Sequence, residues 1–168
     1  AVFSGSAMGN LDHFGLGGMM QSRIKGSRSS SKNLAFGLIG MSADFINAYM
    51  LGSVGRTGHA AGACATFLFN LQLGKEIIEN GTSRLVIVGS AEAPISPEIY
   101  DGFFANSGLS DAKLMIALQS QLTETVNEPN QRQACNPFGK NTGKVLGESA
   151  TFLVIIEREL SFEIGTAE

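Results

Sequence analysis

The sequence predicts an α/β fold, and three observations carry that prediction. "RLVIVGS" and "ATFLVIIE" hold continuous apolar runs, Leu85 to Val88 and the centre of Ala150 to Glu157, of the kind that form strands covered by other layers. Between the small-residue stretch that starts at Thr57 and the first of these runs lies a segment of helical period, so the order is strand, helix, strand. Of the 168 residues 43% are apolar and 16% charged, with 21 glycines and four prolines, the balance of a glycine-tight globular chain long enough for one domain with its own core.

Taken in order, Val2 to Ser4 reads as a short strand that runs into "GSAMGNLDHFGLGG", a loop of small residues where backbones approach closely. The basic, serine-rich "RIKGSRSSSK" follows, inside an interval from Phe14 to Ala43 without an acidic residue. From Leu34 to Leu51 the pattern is helical, with Leu34, Leu38, Phe45 and Tyr49 on one stripe and Ile39, Ile46 and Met50 beside it; this predicts a mostly buried helix ended by Gly52 and Gly55. Thr57 to Ala63, made almost wholly of tiny residues, is a candidate extended segment against which another backbone packs. From Cys64 to Asn80 Phe67, Leu68, Leu71 and Ile78 share a helix face, Lys75, Glu76 and Glu79 are wet, and Gly81 is the stop. The stretch from Pro94 to Gly147 contains all four prolines and reads as active-site loops around one short helix, Ala112 to Thr125. After the last strand, "RELSFEIGTAE" carries no terminating signal, and the opening "AVFSGSAMGN" reads as a buried strand, so part of a larger domain is expected upstream.

A formal charge of −3 gives no reason to expect nucleic acid or an anionic membrane as partner. No run of about 18 apolar residues and no basic-then-apolar leader is present, so a cytoplasmic protein is expected. Cys64 and Cys135 lie far apart and suggest neither a disulfide framework nor a zinc site; no metal is expected, and the compartment reads as reducing.

The cysteine in "GHAAGACATFLFNLQLGKEIIENG" opens the chemistry. A thiol in the first turn of a helix sits near free N–H groups and the positive end of the macrodipole, both of which favour thiolate over thiol. Gly62, Ala63 and Ala65 fit a tight strand-to-helix turn that presents a side chain, the logic of a hydrolase nucleophile elbow, although Thr66 stands where that motif has its second glycine. From these residues alone Cys64 is either a nucleophile or an ordinary small core residue.

"GACAT" opening a helix, "VGSAEAP" closing the next strand, "GFFANSGLS", and "NPFGKNTGKVLGESATFLVIIE" together resemble, in order and spacing from about Ser4 to Glu159, the β-ketoacyl-[acyl carrier protein] synthases of the thiolase superfamily. The resemblance implies a thiolase-like layered α-β-α fold, one lobe of two, with Cys64 as the nucleophile that takes an acyl group from a phosphopantetheine thioester. Its own N–H would be one oxyanion donor, and the acyl group would pass to a carbanion made by decarboxylating malonyl on an acyl carrier protein. No resident cofactor is implied, since phosphopantetheine arrives with the substrate. The same resemblance makes Phe103 and its neighbour Phe104 candidates for the acyl-chain pocket, Glu92 a buried polar support and Glu148 a supporting residue of the site. Thr57 to Ala63 corresponds to the strand that pairs across the dimer axis, which implies a homodimer.

The chain also departs from the family pattern. Gly62 stands where threonine is usual, Pro137, Phe138 and Gly139 replace Pro-Phe-Asp, and Asn141, Thr142, Gly143 and Lys144 replace Arg-Asp-Gly-Phe. A long stretch between Ser110 and Arg132 fits synthase domains of polyketide or polyunsaturated fatty acid assemblies. The family's two catalytic histidine blocks are absent from these residues; His13 lies in a glycine-rich loop, and His59, five residues before Cys64, would point to the other face of an extended segment. The chain by itself is therefore expected not to condense, and half of a two-lobed fold is expected to leave an apolar face bare or to self-associate. Arg23, Lys25, Arg28 and Lys32 are either a docking patch for an acidic carrier or a solvated loop. Three alternatives stay open: a non-condensing homologue of chain-length-factor type, which uses the fold for dimerisation, a relative acting on coenzyme A esters, and an unrelated globular scaffold with a chance cysteine.

Overall fold

A four-stranded sheet in the order β2-β1-β3-β4 organises the computed structural model, which describes residues 1–9, 26, 28, 31–93, 95–106, 108–121 and 127–165. β1 is Val2–Gly5, β2 Thr57–Gly58, β3 Leu85–Glu92 and β4 Ser149–Ile156. β1 runs parallel to both β2 and β3, and β4 pairs antiparallel with β3 in unbroken register from Leu85↔Ile156 to Glu92↔Ser149. The sheet and its helices, residues 1–93 and 148–168, form one unit, and residues 94–147 form a second.

Successive side chains of β3 alternate between faces, so Val86 and Val88 share one side. Both are buried there, with Phe3 of β1, under helix α3 (Thr66–Glu79), whose Leu71, Leu73, Ile77 and Ile78 close the cluster. The helix comes down hard on the sheet at Gly74, where an added Cβ would stand 2.3 Å from Val88 Cγ1. The buried residues of α3 are Thr66, Asn70 and Gly74, spaced by four. Leu71 and Ile78 pack on the core as the periodicity predicts, but Leu68 does not; it is 61% exposed. The helix stops as read, at Gly81 with φ +65.

The opposite face of the sheet corrects two expectations. The apolar run of β3 reads as a strand covered on both sides, but among the described residues only the α3 side is sealed. The other side opens on a groove of about 810 Å³ floored by Ala91, Ala150 and Phe152. Phe152 lies across its pairing partner Gly89, at which an added Cβ would meet the ring at 2.2 Å. The single buried helix expected from Leu34 to Leu51 is instead α1 (Ser31–Phe36), α2 (Met41–Phe45) and a π-helical turn over Ile46–Met50. Within it Ala43 and Asn47 are buried, whereas Leu38, Phe45, Ile46 and Met50 line the groove and Tyr49, stacked on Phe45 at 5.1 Å, is 76% exposed. Gly37 to Gly40 breaks the helix, so the stripe never presents one continuous face to the core. Asn47 donates through Nδ2 to the carbonyls of Ser53 and Gly55, each at 3.0 Å, and so shapes the return into β2.

The second unit holds more regular structure than the loops expected of it. α4 (Pro97–Ala105) starts with Ser96 as N-cap and Pro97 in the first turn; α5 (Ala112–Ser120) starts with Asp111 accepting from the N–H groups of Lys113 and Leu114. A parallel bridge joins Leu109 to Lys144, where Gly143 at φ +146 lets the backbone pass within 2.4 Å of the place a Cβ would occupy. Asn136 and Asn141 clasp the turn that carries Pro137 and the fully exposed Phe138.

Both cysteines are free and exposed. Among the described residues no helix is long and apolar enough to cross a membrane, and no cluster of three metal-ligating side chains occurs. Arg84, just before β3, bonds Glu157 (2.6 Å) and Glu163 (2.8 Å), which ties the sheet to the closing helix α6 (Arg158–Glu163). These bonds from Arg84 hold the Glu163 carboxyl below its ordinary pKa.

Two outcomes follow. Gly74→Val forces a branched side chain into Val88 and is expected to cost roughly 1–3 kcal/mol of stability, read as a lower urea midpoint, while the exposed Lys75→Ala changes it by less than about 0.5 kcal/mol. Because the folded state holds Glu163 at a depressed pKa, the stability from the Arg84 pair is present above the carboxylate range and lost as pH falls through it. The difference in thermal midpoint between the parent protein and Glu163→Gln is expected to exist at pH 7 and to vanish on acidification.

Candidate active site

β2 runs parallel to β1 and β3, so the chain leaves β2 toward Cys64 at the same end of the sheet where β1 leads into Ser6 and β3 reaches Glu92. In open α/β sheets that carboxyl end is where ligands bind. Cys64 is exposed at the centre of a 3₁₀ turn, Ala63–Ala65, that feeds directly into α3. The first helical N–H groups of such a turn have no partner further back in the helix.

Ala63 holds φ +48, a left-handed conformation that costs a residue with a side chain about 1–2 kcal/mol. Backbone bonds from the Ala65 N–H to the Gly62 carbonyl (2.9 Å) and from the Thr66 N–H to the Ala63 carbonyl close the turn, and the Thr66 side chain reinforces it. Its hydroxyl donates to the Ala63 carbonyl (2.7 Å) and accepts from the Gly62 N–H (3.2 Å), spanning the turn from inside. One helical turn on, Asn70 treats Ala60 as a neighbouring strand would: Oδ1 accepts from the Ala60 N–H (2.9 Å) and Nδ2 donates to the Ala60 carbonyl (3.3 Å) and to that of Thr66 (2.9 Å). Both side chains are buried, Asn70 completely. Removing either would leave backbone groups short of partners, a loss of roughly 1–3 kcal/mol. The ring of Phe69 fills the space a side chain at Gly62 would need, with an added Cβ 2.0 Å from the ring edge.

Glu92, at the end of β3, accepts from the Ser6 hydroxyl (3.0 Å) and from the Ala7 N–H (2.5 Å). Ser6 Oγ in turn accepts from the N–H groups of Met8 and Gly9, so one carboxylate anchors the chain leaving β1. Glu92 and Glu148 both line the groove of the first unit, Glu92 half-buried and Glu148 exposed. Phe103 and Phe104 sit on α4 of the second unit. Lys144 Nζ stands 5.2 Å over the Phe103 ring, and Phe104 stacks on Tyr100. The exposed His59 rests its ring on Gly40, where an added Cβ would meet Nδ1 at 2.2 Å. His13, Arg23, Lys25 and the Lys32 side chain lie outside the described residues; Arg28 is exposed.

Sequence reasoning noted Thr66 only as a departure from the elbow motif and passed over Asn70. The signal available was two polar residues four apart, in line with Gly74, set among Phe67, Leu68, Phe69 and Leu71.

The Beta-ketoacyl synthase, N-terminal domain, family model matches residues 1–160. Beta-ketoacyl-[acyl-carrier-protein] synthase FabY of Pseudomonas aeruginosa is 48% identical over 165 residues, which cover 98% of this chain and 25% of that protein. The crystal structure of the ketosynthase FabY from P. aeruginosa superposes with a TM-score of 0.87 at 47% identity, again over 98% of this chain and 25% of that one. 3-oxoacyl-[acyl-carrier-protein] synthase 2 of Staphylococcus aureus is 30% identical over 155 residues, 92% of this chain and 34% of that protein. The chain thus spans between a quarter and a third of the length of these relatives. A mixed sheet with helices on the ketosynthase pattern, a cysteine presented at its carboxyl end, and a family match over nearly the whole length lead to one conclusion: the chain belongs to the beta-ketoacyl synthase family, whose N-terminal domain it matches.

Proposed function

We propose that this protein accepts an acyl group on Cys64 from a phosphopantetheine thioester borne by an acyl carrier protein, the loading half of a decarboxylative Claisen condensation. The observation that carries the reading is the exposed Cys64 in a strained turn whose backbone is held by Thr66 and Asn70 at the start of α3.

In the proposed step Cys64 Sγ, as thiolate, attacks the thioester carbonyl. The C–S bond to the carrier's phosphopantetheine breaks, and the departing sulfur takes up a proton. One thioester replaces another, so the exchange is nearly balanced in energy and rests on stabilising the tetrahedral oxyanion, a task assigned here to the Cys64 N–H. Glu92 and Glu148 support the site from the groove, and Phe103 and Phe104 line the acyl chain in this reading. The enzyme works without a resident cofactor, as a cytoplasmic homodimer, and the carrier it meets sets whether the product enters fatty acid or polyketide synthesis.

Condensation needs a second group to polarise the malonyl thioester and hold the enolate. His59, packed on Gly40, is not assigned that task. The 168 residues by themselves are therefore expected to load and not to condense.

Mixing the protein with an acyl-[acyl carrier protein] and mapping adducts by mass spectrometry tests the reading. An acyl mass increment on the Cys64 peptide, abolished by Cys64→Ala and kept in Cys135→Ser, is expected, with no 3-oxoacyl product on addition of malonyl carrier. A folded sample that stays unlabelled at Cys64 would overturn the reading in favour of a non-condensing structural subunit. Transfer from an acyl-coenzyme A with none from the carrier would overturn the choice of donor.

A further inference from the structure

We infer that Thr66 and Asn70 are positioning residues for Cys64: they set the reactivity of the sulfur by fixing the backbone that presents it, without touching the acyl group. The inference rests on Cys64 as the acyl acceptor and extends that reading to how the thiol is presented.

Every bond given above for these two side chains ends on backbone of Ala60, Gly62, Ala63 or Thr66 itself. Their polar capacity is thus spent on the few residues that lead into the sulfur. Thr66 also has two separable ends. Its hydroxyl spans the turn, while its methyl carbon Cγ2 faces β1, 3.6 Å from where a Cβ on Gly5 would stand. A purely structural threonine would matter for both ends, through fit against β1 and through stability. A positioning threonine matters through the hydroxyl alone, because the hydroxyl is the side-chain group that spans the left-handed Ala63, adding to the backbone bonds from the Thr66 and Ala65 N–H groups across the same turn. Released from it, Ala63 relaxes toward ordinary φ. The turn then loosens, and Cys64 shifts from its place in the turn that feeds α3.

The two ends can be removed one at a time. Thr66→Val keeps the branched shape against Gly5 and deletes the hydroxyl; Thr66→Ser keeps the hydroxyl and deletes the methyl. Each is made in a Cys135→Ser background, so that Cys64 is the sole thiol, and the second-order rate of alkylation by iodoacetamide is measured at one pH beside the thermal midpoint. Thr66→Val is expected to slow alkylation of Cys64 at least about fivefold, and Thr66→Ser to return the rate to within about twofold of the parent although its midpoint also falls. Asn70→Asp, which keeps the acceptor for the Ala60 N–H and loses the donor to its carbonyl, is the second probe and is expected to slow alkylation about threefold or more. Parental rates in folded Thr66→Val or Asn70→Asp would overturn the inference, as would rates that track the midpoint in both Thr66 variants. Iodoacetamide needs no carrier protein, so loss of acyl loading with the Thr66 pattern intact would sink the proposed function and leave this inference standing.

Discussion

Four backbone hydrogen-bonding groups in the approach to Cys64, the N–H and carbonyl of Ala60, the Gly62 N–H and the Ala63 carbonyl, are satisfied by two side chains of the helix that follows. This is the constraint from which the rest of the site descends. The approach is made of tiny residues with almost no side-chain surface to hold it, so its position has to come from its polar backbone, which is bonded where it is half-buried, at Ala60 and Gly62. A strand neighbour would supply them in a sheet. Here Asn70 supplies them, and Thr66 continues the clasp around the bend.

The same helix face meets the sheet further along, at Gly74 over Val88. One stripe of α3 therefore reads the approach segment with its polar residues and the sheet with its glycine. Helix, strand ends and cysteine turn are located by a single rigid element, and the sulfur inherits that location. On the opposite face of the sheet nothing comparable closes down among the described residues: Phe152 covers Gly89, and a groove lies beyond it between the sheet and the broken α1–α2 segment. Glu92 bridges the two situations, since it ends β3 and tethers the loop that leaves β1.

What the sequence made legible follows from which signals are local. The strands around Leu85 and Ala150, the helix ending at Gly81 and the cysteine turn are written in runs of adjacent residues, and the structure has them in place. The resemblance to ketosynthases rests on such blocks, and the family match agrees with it. The segment from Leu34 to Leu51 misled because periodicity counts apolar residues without knowing what they face; Leu38, Phe45 and Met50 border a groove instead of a core. Leu68 misled in the same way. The role of Thr66 and Asn70 was missed for the converse reason, although their spacing stood in the sequence. Their value comes from backbone brought close by a turn at Ala63 that takes a left-handed φ without glycine, and no propensity scale assigns alanine there.

Glu92 and Ser149 stand opposite each other at the last rung of the β3–β4 ladder, and everything from Pro94 to Gly147 is an excursion between those two neighbours. Paired strand residues stand only about 5 Å apart, so the entropy of bringing the two ends together is spent when the ladder forms. Each doubling of the intervening chain then adds only about 0.6 kcal/mol. The closure cost of the excursion is thus nearly insensitive to its length, so residues added there weigh little on the pairing of β3 with β4.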